Sequence, residues 1–492
     1  MKRMKLLDTS WLMLEAKETP MHVGVLLFFS PPAGAPSDYV ARLVARLRAS
    51  ANVIPPWDLI LPAQAMKGLI PLWLHQIYLD MDYHVQHHLL PTPGGERELK
   101  KKVTELHARP LDLTRPLWEC HVIEGLADGS FAICTKLHHA LVDGIGGLRL
   151  MQRAFARAPD ERSAPPWTWA KANARRSFLP SQTWPSAEGP MSDAPPAKSR
   201  TLPHIARAAR ELTRAAFDPE DALATPYSGP RSLLNGRITE RRLFATQAFA
   251  MPRIKALAQQ SGGSANDIVL ALCAGAMRRL LSEADALPRQ SLNAAIPYSM
   301  RSRHDDSVGT ALAFFLARLG TEIADPRKRL TAIQASTVRA KEHLAGLPRE
   351  ALAQYTLALM VPFVAEQLAG AGGRFRPVFN VVISNVPGPK QPLYLEGARL
   401  EALYPLSVLF HGQALNITCL RYLDTLHFGF TGCPDTVPKL GLLPAYSRSA
   451  LTELEATFAK PHRSRRHPVS GVRNGRARHT ASNALTASAT PL

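Results

Sequence analysis

Between Phe131 and Ala158 the chain changes its hydrophobic period, and that change restricts the possible folds more than any other feature. FAICTKL (131–137) is alternating and β-rich, as in a strand. GIGGLRLMQRAFARA (144–158) has the three-to-four-residue spacing of a helix. A strand that feeds a helix across a glycine-rich turn belongs to an α/β protein, and a loop at a strand end is a usual place for reacting groups. His138, His139 and Asp143 fall in that loop, just ahead of Gly144, Gly146 and Gly147.

The same alternation of elements runs through the chain. HVGVLLFF (22–29) reads as a buried strand ended by Pro31-Pro32, and residues 38–49 and 94–111 have helical spacing. LWECHVIEGL and SFAICTKL read as two strands around the turn Ala127-Asp128-Gly129. In the second half, 241–249, 291–301, 377–387 and 415–432 read as strands, whereas IKALAQQ and 265–284 read as helices. A chain of 492 residues exceeds what one core usually organises, so two domains are expected. From Pro159 to about Pro203 the chain is rich in Pro, Ser, Ala and charge, with three isolated tryptophans, which predicts a linker or crossover. The expected organisation is an N-terminal domain (1–158), a linker (159–205), a C-terminal domain (206–458) and a disordered basic tail (459–492).

The net charge of +19 and pI near 10 point to an anionic partner: nucleic acid, an acidic membrane surface or a phosphate-bearing substrate. No zinc spacing, RNA-binding aromatic motif or recognition-helix pattern accompanies the charge, so nucleic acid is not expected. The five cysteines are scattered and form no CxxC pair, which fits a reducing cytoplasm. Asp8 interrupts the first apolar run, which excludes a secretory signal, and no uncharged run of about 18 residues predicts a spanning helix. The nearest, ALAQYTLALMVPFVA (351–365), contains Pro362 and is too short. It reads as a buried or amphipathic helix, with interfacial membrane contact as the alternative.

Adjacent strand residues face opposite sides, so one of the two histidines can face a given site. His139 is assigned, being separated by three residues from Asp143 and nearer the glycines. Three blander readings compete at this point: a satisfied core histidine, Asp143 as a helix N-cap, or a metal site. The last lacks a third histidine at recognisable spacing, and HExxH is absent.

HHALVDG matches the HHxxxDG signature of CoA-dependent acyltransferases of the chloramphenicol-acetyltransferase-like superfamily. MKLLDTSWLMLEAKETPMHVGVLLFF, MDYHVQHHLLPTPGG (81–95) and PLDLTRPLWECHVIEGLADGSFAI (110–133) make the chain resemble one branch, the bacterial wax ester synthase/diacylglycerol acyltransferase family. Further blocks follow in order: Pro116-Leu117-Trp118, Asn266-Asp267, PYSMR (297–301) and SNVPGP (384–389). Thr310, Tyr298 and HFGFTG (427–432) depart from the family pattern, which bears on substrate preference more than on chemistry.

The resemblance implies two chloramphenicol-acetyltransferase-like domains, each a mixed β-sheet flanked by helices, with an active-site tunnel between them. It implies transfer of a long-chain fatty acyl group from acyl-CoA to diacylglycerol or a long-chain alcohol, with His139 as general base. Around it, His138, Asp143 and Gly144 would shape the loop, and Arg301 would pair with Asp143. Asn266 and Asp267 would cap a helix or serve the site. Pro116, Leu117 and Trp118 would shape core or channel, and Ser384 and Asn385 are candidate oxyanion donors. No metal and no cofactor is expected, acyl-CoA being a substrate. The location expected is cytoplasmic, with peripheral contact on an anionic membrane or lipid body. Three rivals remain: the HxxxxD pattern of glycerophosphate acyltransferases read from His138, a peptide-condensation domain sharing HHxxxDG, and a non-catalytic lipid-binding relative.

Overall fold

The computed structural model of the protein describes residues 2–4, 6–50, 52–62, 72–142, 144–168, 201–218, 220–299 and 312–459. The first half runs β1 (Lys2–Arg3), α1 (Leu6–Met13), β2 (His22–Ser30), α2 (Tyr39–Arg48), β3 (Leu59–Ile60), β4 (Leu72–His75), α3 (Met81–His84), β5 (Val85–Leu89), α4 (Glu96–Ala108), β6 (Trp118–Glu124), β7 (Phe131–His138) and α5 (Gly144–Arg153). The second runs α6 (Thr201–Phe217), β8 (Leu243–Ala250), α7 (Met251–Ser261), α8 (Ala265–Ser282), β9 (Asn293–Ser299), β10 (Leu312–Arg318), α9 (Pro326–Ala345) and α10 (Arg349–Leu368). It continues with β11 (Val381–Val386), β12 (Tyr394–Leu395), β13 (Ala398–Leu406), β14 (Leu415–Tyr422), β15 (Thr425–Gly432) and α11 (Leu443–Ala459).

Two six-stranded mixed sheets organise these elements. The first has the order β12-β13-β2-β7-β6-β5, antiparallel except for the β5–β6 pair. The second has the order β10-β9-β11-β14-β15-β8, with parallel pairing at β9–β11 and β11–β14. Helices cover them because their apolar stripes need a sheet face to bury against. α2 lays Val40, Leu43, Val44 and Leu47 on the first core, and α8 is buried along most of its length in the second.

The folded chain corrects the sequence-based boundaries in three places. Residues 394–406 lie beyond the expected domain switch at 206, yet they complete the first sheet, β13 pairing with β2 from Arg399↔Ser30 to Leu406↔Gly24. The cause is burial: Ala398, Leu400 and Leu403 join the first core, whose strand β2 has β7 on one side only. Residues 159–168, expected in the linker, also belong to the first half. Trp167 is buried, stacks on Trp118 at a centroid distance of 4.8 Å, and accepts the Ile54 N–H on its carbonyl. The far end of the expected linker, 201–205, is the first turn of α6. The interior of that linker (169–200) and the tail from 460 lie outside the described residues.

The crossover strand also packs against the second sheet. A Cβ on Gly429 of β15 would stand 1.9 Å from the Pro405 carbonyl oxygen of β13, so only glycine permits this approach. Tyr404 meets His427 edge-on at 5.0 Å. A buried polar chain runs alongside. His22 Nε2–H donates to the His107 carbonyl (3.0 Å), His107 Nε2–H donates to the Ser407 carbonyl (3.0 Å), and Ser407 N–H donates to Thr431 Oγ1 (3.1 Å). Burial drives the imidazoles toward the neutral form: His107 falls to about 3, His427 to about 4, and His22 well below its ordinary value, helped by the Lys136 charge.

Two outcomes follow from this packing. Gly429→Ala forces β13 and β15 apart and is expected to cost about 1–3 kcal/mol, read as a lower urea midpoint; an unchanged midpoint would refute the close approach. The unfolded chain takes up protons on these histidines below an ordinary pKa of 6.5, and the folded chain does so only near 4 or lower. Stability is therefore full above 6.5 and drains as pH falls through that window, by up to about 1.4 kcal/mol per pH unit for each histidine. The melting temperature should fall between pH 7.5 and pH 5, and less steeply in His107→Gln; a flat profile would contradict the assignment.

Candidate active site

The loop expected to carry the chemistry is fixed by carbonyls at two neighbouring strand ends. His138 closes β7, pairs in register with His22 of β2, and donates its N–H to the Leu117 carbonyl at 3.0 Å. His139 donates its N–H to the Met21 carbonyl at 2.8 Å. The chain then turns back, Leu141 N–H donating to the His138 carbonyl (3.0 Å), before α5 opens at Gly144.

The two imidazoles enter different surroundings, as strand alternation predicts. His138 is buried among polar partners. Its Nδ1 accepts the Ala140 N–H at 3.1 Å, which places the proton of the neutral ring on Nε2. That nitrogen lies 3.3 Å from Glu15 Oε2, and the same carboxylate oxygen accepts the Met21 N–H at 2.5 Å. His139 instead stacks on the indole of Trp11, with ring centroids 3.9 Å apart and planes within 18°. Trp11 leads to Phe410 (6.0 Å), and Phe410 meets Phe363 of α10 edge-on at 5.2 Å. Met21, Ala295, Leu316 and Val408 complete this apolar cluster, which draws on both halves of the chain.

A buried charged network stands under the same strand. Lys136, two residues before His138, donates from Nζ to the Arg109 carbonyl (2.6 Å) and to Glu119 (3.1 Å). Burial alone would raise the Glu119 carboxyl. The His121 hydrogen bond and the charges of Lys136, His121 and Arg109 outweigh it and hold the group at about 2. The ionised pair is thus fixed in place across β6 and β7.

The remaining candidates separate by position. Asp143 and Arg301 lie outside the described residues, and with them their expected pairing. Leu117 serves the loop through its carbonyl, and the Pro116 carbonyl accepts the Trp118 N–H. Trp118 is a core residue: its Nε1–H donates to the Trp57 carbonyl (2.7 Å) and its ring lies between His84 and Trp167. Asp267 builds the start of α8 through a capping box with Ser264, and its second carboxylate oxygen accepts from Thr337 (2.8 Å). Asn266 is buried beside it. Those contacts give Asp267 a structural task at the third position of the helix, Ser264 being the N-cap. Ser384 and Asn385 lie near the end of β11 opposite Thr418 and Cys419. Alternation puts Ser384 on the face of Val382, which packs on the Phe363–Phe410 cluster, and Asn385 on the face of Ile383, in the second core. Among the described residues no group of three His, Cys, Asp or Glu side chains could hold a metal ion.

Trp11, Glu15, Phe363 and Phe410 are the site residues that sequence reasoning missed. Trp11 and Glu15 stand in the stretch 4–29 that carries the family resemblance, but no local pattern shows that this stretch folds over the histidine loop.

The model of the wax ester synthase/diacylglycerol acyltransferase catalytic domain matches residues 4–269, and that of the family's C-terminal domain matches 308–455. A Mycobacterium tuberculosis protein named for diacylglycerol O-acyltransferase activity is 38% identical over 481 residues, covering 91% of this chain and 96% of its own. A Mycobacterium bovis protein with the same activity in its name is 39% identical over 452 residues, with coverages of 91% and 97%. The solved wax ester synthase/diacylglycerol acyltransferase from Marinobacter aquaeolei superposes with a TM-score of 0.74 at 35% identity, over 94% of this chain and 100% of that one. A condensation domain of the calcium-dependent antibiotic synthetase shares the fold alone, with a TM-score of 0.57 at 16% identity over 94% and 96% of the two chains. The paired histidines at the end of β7, the two mixed sheets and these matches lead to one statement: the chain belongs to the wax ester synthase/diacylglycerol acyltransferase family.

Proposed function

We propose that the protein transfers a long-chain fatty acyl group from acyl-CoA to the hydroxyl of a diacylglycerol or a long-chain alcohol, with His139 as general base. The observation that carries this reading is the setting of His139, an imidazole pinned at a strand end and laid against an aromatic wall built from both halves. An alcohol is a poor nucleophile, and the thioester is already activated. The missing element is a group that takes the hydroxyl proton as the oxygen attacks, for which a neutral imidazole is suited.

The step balances without an enzyme-bound acyl group. The alcohol oxygen bonds to the thioester carbonyl carbon while its proton moves to His139. The carbon–sulfur bond then breaks, and the departing thiolate takes the proton, giving ester and free CoA. The carbonyl oxygen becomes negative on the way and needs a donor; Ser384, on the face of the aromatic cluster, is the better placed of the two candidates. Pairing of Asp143 with Arg301 would hold the loop rather than touch substrate. His138 positions the turn through Ala140 and Glu15. Acyl-CoA is a substrate here, and the scheme uses no metal or cofactor.

The basic body suits the CoA phosphates and an anionic lipid surface. Among the described residues no helix is long and apolar enough to cross a membrane. In the reading proposed here the protein reaches its lipid acceptor from the surface, peripheral on the cytoplasmic side of a membrane or on a lipid body. The test is acceptor-dependent CoA release from a long-chain acyl-CoA, with hexadecanol or diacylglycerol offered in parallel. His139→Ala should lower it by about 10²- to 10⁴-fold. His138→Ala should keep a substantial part, because the ring acts on the backbone. The opposite ranking would sink the assignment.

A further inference from the structure

We propose that the outward stripe of α10, beside the arginines of α6, seats the protein on an anionic phospholipid surface, and that the lipid alcohol reaches His139 past the inward side of the same helix. The proposal rests on the acyl-transfer reading above and names the surface that serves it.

α10 has two apolar sides with different neighbours. Inward, Phe363 packs on Phe379 (5.7 Å) and Phe410 (5.2 Å), and through Trp11 this contact chain ends on the His139 ring. Outward, Gln354, Leu357, Ala358, Val361, Ala365 and Leu368 are exposed. Their spacing of three and four residues puts them on one face. That face carries no charge, and its larger members are 43% (Leu357), 54% (Val361) and 50% (Leu368) exposed. Between 351 and 368 the sole charged residue is Glu366, which lies off the stripe and accepts the Tyr227 O–H at 3.2 Å. Phe375, 60% exposed, follows directly between Arg374 and Arg376.

The neighbouring helix supplies the matching charge. α6 packs against α10 and exposes Arg207, Arg210, Arg214 and, at its end, Phe217. Its one acidic residue, Glu211, is engaged by Arg339 (2.6 Å) and His343 (2.9 Å). An uncharged apolar helix face next to exposed arginines is the pattern of a helix lying in the plane of an anionic interface. An exposed apolar stripe beside arginines, on a protein of high positive charge, calls for a partner of this kind. The alternative occupant, a second copy of this chain, would bring two sets of α6 arginines toward one another. The arrangement also fits the chemistry: the acceptor's hydroxyl lies at the water boundary of the lipid, its chains lie in the apolar layer, and α10 separates that layer from the aromatic cluster.

The experiment uses the full chain with vesicles of phosphatidylglycerol or of phosphatidylcholine carrying diacylglycerol, and with hexanol dissolved in water as a second acceptor. The wild type should float with phosphatidylglycerol vesicles and much less with phosphatidylcholine. Leu357→Glu/Val361→Glu/Leu368→Glu should lose flotation and acylation of vesicle-borne diacylglycerol at least tenfold, with hexanol turnover within twofold. Arg210→Glu/Arg214→Glu should weaken binding to anionic vesicles by about fivefold or more for each charge removed and leave phosphatidylcholine unaffected. Where the triple variant also fails on hexanol, Val361→Asp alone is read in the same pair of assays. Vesicle binding and acylation by the variants at wild-type levels would overturn the proposal. So would a wild type that binds no vesicle, or a wild-type dimer that the triple variant dissociates. A wild type that floats but turns over neither acceptor would instead overturn the acyl-transfer reading.

Discussion

The strand Ala398–Leu406 is the constraint on which the rest of the structure depends. It arrives from the second half of the chain and completes the sheet of the first, hydrogen-bonded to β2 along nearly its whole length. Its other side meets β14 and β15 closely enough that glycine is required at 429. The two halves therefore share a backbone ladder, and their relative position is set by register as well as by side-chain packing. Everything at the histidine loop follows from this. β2 lies between β13 and β7, and its first residues hold the ends of both the loop and the polar chain through His22, His107 and Ser407.

Two kinds of environment meet at that loop. One side of β7 faces buried charge and hydrogen bonds: Lys136 with Glu119, and His138 with Glu15. Buried polar groups are costly unless paired, and here their pairing locks the strand end against movement. His139, one residue further, enters an apolar cluster that offers it an aromatic face. A rigid polar foundation with an imidazole in a greasy setting suits the proposed reaction, whose substrates are hydrocarbon chains and whose only proton movement is local.

Much of this was legible in the sequence. The strand 131–138, the helix behind it and the opposite facing of the two histidines follow from period and alternation, and the family from the motif blocks around them. What was not legible is long-range. Residues 398–406 carry their own alternation, with Ala398, Leu400 and Leu403 buried, yet nothing in a strand states which sheet it will join. Trp167 sits in a stretch whose composition reads as linker, and one buried indole outweighs that composition. Trp11 and Glu15 are distant in sequence from the loop they cover, so only the fold could reveal them. For Asn266 and Asp267 the reading stayed divided between cap and site; the residue that caps α8 is Ser264, with Asp267 three positions on as its capping-box partner.

The lending of β12 and β13 has a consequence for synthesis. While the ribosome is making the second half, the first sheet has no partner for the β2 edge, and Val25 to Phe29 present an open apolar ladder. Such an edge is a template for pairing with another chain. The sheet can close only when residues near the end of the fold have emerged, so the aromatic cluster over the histidine loop, which needs Phe363 and Phe410, is completed last. The interval between the making of the histidine motif and its completion is therefore the period of greatest exposure to misassembly, and a protein built this way matures as one unit and not domain by domain.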